Sequence, residues 1–416
     1  MTSRVRQIRS RRSTALRCAA PLVTLALAAT GCGASVTPGR TGDSPRSPTT
    51  SDAPPAAAST PSPTQAATCT DRYFSGMTTA QRVGQLLMGG ISAAHPDQAQ
   101  LRTLRDNHVG AIMLTGRSTA GTAATRKTVD GFRGQADQVG DRRVGLLIST
   151  DQEGGQVQVL NGPGFSAIPN GLTQGSWPTA TLRSQAAGWA KQLKAAGVDL
   201  NLAPVADVVP AALGTRNMPI GSFKREYGHT PETVTSHSGA FAAGFAQSGV
   251  MTTLKHFPGL GQVIGNTDTT ANVVDSVTTA SSSSLEPFRA GIRSGSPFVM
   301  VSSATYTKID PKHLAAFSPT VIGQLLRGKL GFKGVVISDD IGNAVAVRSF
   351  SPAQRAVNFI AAGGNMILTV RPSTVPAMTQ AIEARMRQDT SFRAKVDDSV
   401  RRILAAKQSA GLLDCH

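Results

Sequence analysis

Acidic residues, cysteines and aromatic rings are all scarce in this sequence, and each scarcity narrows the function. Only 25 Asp and Glu stand against 42 Lys and Arg in 416 residues, a formal net charge of +17. Aromatic residues make up 5% of the chain, and no Lys/Arg block carries interleaved rings. That argues against a nucleic-acid partner. The four cysteines are too few for a disulfide scaffold and lack C-x-x-C spacing, so no structural zinc site is expected. Long apolar runs are missing outside the N-terminus, which excludes a multi-span membrane protein. What the chain does have is 40% hydrophobic residues, enough for a large core. Its length fits one large α/β barrel or two to three smaller domains.

The charge is uneven. Residues 1–31 carry six arginines (Arg4, Arg6, Arg9, Arg11, Arg12 and Arg17) and no acid. An apolar stretch from Ala19 to Thr30 follows, too short to span a bilayer. It ends in Leu27-Ala28-Ala29-Thr30-Gly31-Cys32, which resembles a bacterial lipobox. Cleavage before Cys32 would let its thiol carry a diacylglycerol. Acyl chains contribute about 0.8 kcal/mol per buried CH₂, and two or three of them anchor stably. The expected location is therefore the outer face of the bacterial plasma membrane, held by lipid. An ordinary secretory signal with a chance cysteine is the alternative. Ser, Thr, Pro, Ala and Gly fill 30 of the 36 positions from 33 to 68. Such a segment buries too little to offset its ordering entropy, so residues 32–68 read as a tether. Cys69 and Cys415 then flank the globular part, residues 69–416. In an oxidising exported compartment they are expected to pair; two free thiols at frayed ends are the alternative.

From Cys69 onward, strand-like apolar runs alternate with helical patterns. The strands are expected at 85–89, 110–114, 144–150, 198–205, 250–256, 298–303, 334–339 and 365–370. Helical stretches are expected at 181–196, 232–248, 319–330, 352–362 and 374–387. A last one, 392–409, places Val396, Val400, Ile403 and Leu404 on one face. Eight such units suggest a (β/α)₈ TIM barrel, with a doubly wound sheet as the alternative. Chemistry in such barrels sits at the C-terminal strand ends. There the sequence collects Asp151, Asp207, Lys255, His256, Ser302, Ser303 and Asp339.

Four motifs in register carry a resemblance. They are Asp151-Gln152-Glu153-Gly154-Gly155, Asn201-Leu202-Ala203-Pro204-Val205-Ala206-Asp207, Lys255-His256-Phe257-Pro258-Gly259 and Ser338-Asp339-Asp340. Together they resemble glycoside hydrolase family 3, specifically its single-domain β-N-acetylhexosaminidases that recycle peptidoglycan fragments. The resemblance implies a TIM barrel and a retaining mechanism that releases terminal N-acetylglucosamine. It makes Asp339 the nucleophile, with Asp340 pointing away. Asp151, Arg225, Lys255 and His256 become the sugar-binding residues. Asp207 is left between orienting Lys255 and capping a helix.

The sequence departs from that family in two places. The family's Asp-Ser-His triplet, which supplies a mobile acid/base histidine, is here Asn266, Thr267 and Asp268. An arginine that contacts the sugar is replaced by Val159. A carboxylic acid is the usual glycosidase acid/base when burial raises its pKa toward ~6, so Asp268 is the candidate. Gly261 and Gly265 would let its loop hinge. A family 3 glycosidase of different glycan specificity and a catalytically weak sugar-binding lipoprotein remain as alternatives. No metal ligand set and no cofactor motif is present. The expected partners are an N-acetylglucosamine-containing glycan and, through the anchor, the membrane; a monomer is expected.

Overall fold

The computed structural model describes residues 68–415. The basic leader, Cys32 and all of the expected tether except Thr68 lie outside the described residues. Eight parallel strands close into a barrel. They are β1 (Leu87–Ser92), β2 (Ala111–Thr115), β3 (Leu147–Thr150), β4 (Leu200–Asn201), β5 (Met251–Phe257), β6 (Phe298–Val301), β7 (Val335–Asp340) and β8 (Met366–Thr369). Each strand pairs with its sequence neighbours, and β8 returns to β1, with Leu87 opposite Ile367. The expected TIM barrel is thus the fold, and closure excludes the open doubly wound sheet. The strands are almost wholly buried, because helices cover one face and packed side chains fill the other.

Two strands are shorter than their apolar runs. Val144 and Gly145 leave the barrel to pair with Leu413 and Leu412 of the C-terminal tail. β4 stops at Asn201, because Pro204 has no N–H to give to the ladder. The segment still runs beside β5, with the Thr253 and Lys255 amides donating to the Ala203 and Pro204 carbonyls.

The helices are α1 (Cys69–Gly76), α2 (Thr79–Gln85), α3 (Gln98–Asp106), α4 (Gly121–Arg133), α5 (Gly171–Gly175), α6 (Thr179–Ala195), α7 (Pro231–Gln247), α8 (Glu286–Arg293), α9 (Pro352–Ala362), α10 (Val375–Gln388) and α11 (Thr390–Ser409). Thr68 is the N-cap of α1 and forms a capping box with Asp71. The last residue assigned to the tether therefore belongs to the globular part. Val396, Val400, Ile403 and Leu404 of α11 are buried, as their spacing predicts. The segment Thr320–Lys329, expected as an ordinary helix, is wound as a π-helix; nothing in the packing explains it.

The N-terminal end of the barrel is sealed by both ends of the domain. Tyr73 of α1 donates its hydroxyl to the carbonyls of Arg143 and Asp414. Cys69 and Cys415 are joined by a disulfide with Cα atoms 5.5 Å apart. The opposite end, where the strands finish, is left to the loops that build the site.

Candidate active site

A cavity of about 460 Å³ opens at the C-terminal ends of the strands. Its wall over β3 to β5 is a network of opposite charges. Lys255, on β5, is almost fully buried, and its Nζ reaches both Asp151 Oδ1 and Glu153 Oε1 at 2.6 Å. Arg225 grips Glu153 with two parallel bonds, 2.8 Å from Nε and 2.7 Å from Nη2, and donates from Nη1 to the Pro219 carbonyl. Burial alone would push Glu153 up. Arg225 and Lys255 outweigh it and bring its pKa down to about 2. Burial likewise opposes the charge on Lys255, but Asp151 and Glu153 hold its pKa above the usual range. Glu153 and Lys255 are therefore both charged.

His256 follows Lys255 on the strand and is turned by Asp207. The Asp207 carboxylate accepts from His256 Nδ1 at 2.7 Å and from the backbone amides of His256 and Leu260. The tautomer protonated on Nδ1 fits these contacts and leaves Nε2 facing Arg225 Nη2 at 3.3 Å. Asp207 thus positions His256 and the start of the next loop. It neither orients Lys255 nor caps a helix, the two roles weighed from sequence.

The cavity floor carries the acids of β7. Asp339 Oδ1 accepts from the Asp340 amide, and no other hydrogen bond reaches its carboxylate among the described residues. Asp340 is spent differently. Its Oδ1 accepts from the Gly342 and Val370 amides and its Oδ2 from the Asn343 amide, so it shapes the β7 and β8 loops. Arg355 of α9 supports the same loop through the Ile341 and Gly342 carbonyls.

The loop after β5 lays Asp268 over this floor. Asn266 Oδ1 accepts from the Asp268 amide, an Asx turn that fixes the backbone. The carbonyls of Thr267 and Asp268 accept from the amides of Ala346 and Val345, which latches the loop to the segment after β7. Asp268 is open to the cavity yet crowded by protein. That burial, reinforced by the neighbouring charges of Asp339 and Asp340, pushes its pKa up to about 6, against the pull of Arg225 and His256.

Residues 78–406 match the glycosyl hydrolase family 3 N terminal domain. The chain belongs to glycoside hydrolase family 3. A curated relative, the beta-hexosaminidase of Xylella fastidiosa (strain M23), is 34% identical over 309 residues, covering 72% of this chain and 88% of that protein. Among solved structures, the beta-N-acetylhexosaminidase of Beutenbergia cavernae is 49% identical with a TM-score of 0.78, covering 80% of this chain and 99% of the other. The family 3 beta-N-acetylglucosaminidase of Paenibacillus is 31% identical with a TM-score of 0.71, covering 81% of this chain and 63% of the other.

In this family 3 barrel, the residues singled out from sequence fall into two groups. Asp151, Arg225, Lys255, His256, Asp268 and Asp339 all line the one cavity. Ser302 and Ser303 do not. The Ser302 hydroxyl is 2.9 Å from that of Tyr306, which donates to the Gly259 carbonyl and ties the sugar loop down from below. Val159 is packed in the hydrophobic core. Gly261 sits so close to Val208 that a Cβ would lie 1.8 Å from its carbonyl oxygen, so close approach is the reason for that glycine. Sequence reasoning missed the partners rather than the ligands. Glu153 was quoted in its motif without a role, although it is the acid that pairs with both buried cations, Lys255 and Arg225. Asn217 gave no signal, yet its amide joins four backbone groups, accepting from Ile220 and Gly221 and donating to Leu260 and Val263.

Proposed function

We propose that this family 3 hydrolase removes terminal β-linked N-acetylglucosamine from cell-wall glycans, with retention of configuration. The observation that carries the reading is the carboxylate of Asp339, which lines the cavity and is held by the Asp340 amide alone among the described residues. It lies beneath a raised-pKa acid, Asp268, and faces a wall of hydroxyl-binding groups. Asp151, Arg225, Lys255 and His256 would take the outer hydroxyls of one terminal sugar. Glu153 keeps the two cations aimed and charged. Similarity to the Beutenbergia beta-N-acetylhexosaminidase and the Paenibacillus beta-N-acetylglucosaminidase supports the N-acetylated sugar.

The chemistry follows from the two carboxyls. Asp339 attacks the anomeric carbon as the bond to the aglycone oxygen breaks, and protonated Asp268 gives its proton to that oxygen. A covalent glycosyl-enzyme results. Asp268, now a carboxylate, takes a proton from water, whose oxygen displaces Asp339 from the anomeric carbon. The sugar leaves and both acids return to their starting states. Asp268 stands in for the family histidine, and Asn266 fixes its backbone where the family has an orienting aspartate.

The decisive experiment is hydrolysis of an aryl N-acetyl-β-glucosaminide by the full chain and by Asp339→Asn. Loss of turnover on the order of 10³-fold or more is expected. A wild type that cleaves no N-acetyl-β-glucosaminide would overturn the reading. We also propose export and lipid anchoring through Cys32, supported by the order of basic leader, apolar run, small residues and cysteine. Cys32→Ala should release the protein from the membrane fraction. If it stays membrane-bound, the anchor lies elsewhere.

A further inference from the structure

We propose that Asn217 is a positioning residue that holds the loop carrying Asp268 in register with the sugar clamp; this rests on the glycosidase reading above. Asn217 is fully buried and does not line the cavity. It stands behind two of the cavity's walls. One is built after β4 by Pro219, Phe223 and Arg225, and the other after β5 by Leu260 and the segment that ends at Asp268.

One side chain serves both walls. Its Oδ1 accepts from the Ile220 amide at 3.0 Å and from the Gly221 amide at 2.9 Å. Its Nδ2 donates to the Leu260 and Val263 carbonyls, both at 2.7 Å. A carboxamide offers an oxygen with two lone pairs and a nitrogen with two protons, so every bond that Asn217 can make is made here. A carboxylate, a hydroxyl or an apolar group in its place would leave at least one buried backbone group unpaired, which is costly.

Each pair of bonds leads to a group that acts on the sugar. On the first side, the Ile220 carbonyl accepts from the Arg225 amide, and the Pro219 carbonyl accepts from Arg225 Nη1. The turn that Asn217 closes is therefore the seat of the Arg225 guanidinium. On the second side, Leu260 is gripped twice. Asp207, which also turns His256, takes its amide, and Asn217 takes its carbonyl. The chain then runs through Val263 and Ile264, whose carbonyl accepts from the Met218 amide at 3.2 Å, into the Asx turn that presents Asp268. Asp268 must give its proton to an oxygen whose place is set by the sugar in the clamp. A misplacement of about 1 Å can cost on the order of 10²-fold in rate. Asn217 joins the two sides through one planar group.

The test uses the full chain and Asn217→Asp, which keeps the acceptor for Ile220 and Gly221 and loses the paired donors to Leu260 and Val263. The substrates are the β-1,4 disaccharide of N-acetylglucosamine, a poor leaving group, and an aryl N-acetyl-β-glucosaminide, a good one. For the disaccharide kcat should fall about tenfold with KM within twofold of the wild type. The aryl glycoside should lose less than threefold, and inhibition by free N-acetylglucosamine should not change, because the clamp is intact. In an Asp268→Asn background the same substitution should cost nothing further in disaccharide turnover, as two residues acting through one step require. Asn217→Ser, with one donor and no added charge, should show the same split at about threefold, and it carries the test if Asn217→Asp does not fold. Equal loss on both substrates, a loss carried by KM, or a full further loss in the Asp268→Asn background would overturn the inference and leave the glycosidase reading standing. If the wild type cleaves neither substrate, the glycosidase reading itself has failed and the positioning role falls with it.

Discussion

At the scale of single residues, the site is defined by how one type of group is treated in different places. Glu153, Asp207, Asp268, Asp339 and Asp340 are all acids at or beside one cavity. Glu153 is pinned between two cations and held near pKa 2. Asp340 is consumed by three backbone amides. Asp268 has its backbone fixed and its carboxyl raised to about 6. Only a protonated Asp268 can donate to the leaving oxygen. Because its pKa is raised, that form persists below about pH 6 and is lost as pH rises through it. The alkaline limb of kcat/KM for a disaccharide with a poor leaving group should therefore fall near pH 6. In Asp268→Asn the limb should vanish along with most of the rate, while an aryl glycoside with a good leaving group loses much less. An unmoved alkaline limb in that variant would assign the acid role elsewhere.

At the scale of elements, the strands were legible because parallel barrel strands are buried on both faces and read as unbroken apolar runs. The charged residues that end them stood out for the same reason. The helices α3, α4 and α8 were not legible. α3 starts at an Asp97 N-cap but buries only Leu101 and Leu104, so its stripe is narrow, and α4 starts at Gly121 without a side-chain cap, so it lacks a start signal. Loop partnerships were not legible either, since Asp207 and His256 lie 49 residues apart and local pattern carries no such information. The latch on the acid/base loop is one of these long-range partnerships. Val345 opens a short 3₁₀ turn, and the residue before it, Ala344, is extended. Proline fits such a position and removes the amide that donates to Asp268. Val345→Pro should then raise amide exchange across 262–271 and lower kcat/KM for a disaccharide about fivefold, the worth of one hydrogen bond near 1 kcal/mol. If exchange rises and the rate does not change, the latch has no part in placing Asp268.

At the scale of the whole molecule, the two ends of the barrel do different work. The strand ends hold the cavity, while the N-terminal end is closed by α1, the tail and the Cys69–Cys415 bridge, which spans 346 residues of sequence. In the folded state closure of β1 on β8 already fixes the ends of the barrel, so the bridge adds few constraints there. Its effect falls on the unfolded chain, where it joins residues that would otherwise separate freely. In the chain-entropy account so long a loop is worth up to about 5 kcal/mol. The double substitution Cys69→Ser with Cys415→Ser should lower the unfolding midpoint by an amount equivalent to about 2–5 kcal/mol. Turnover of an aryl N-acetyl-β-glucosaminide at 25 °C should stay at the wild-type level, because the bridge lies on the opposite end from Asp339. Reductant should lower the wild-type midpoint toward that of the double variant and leave the variant unmoved. A wild-type midpoint insensitive to reductant that reaches the bridge would mean that barrel closure alone sets the stability, and that the unfolded chain gains little freedom when the bridge opens.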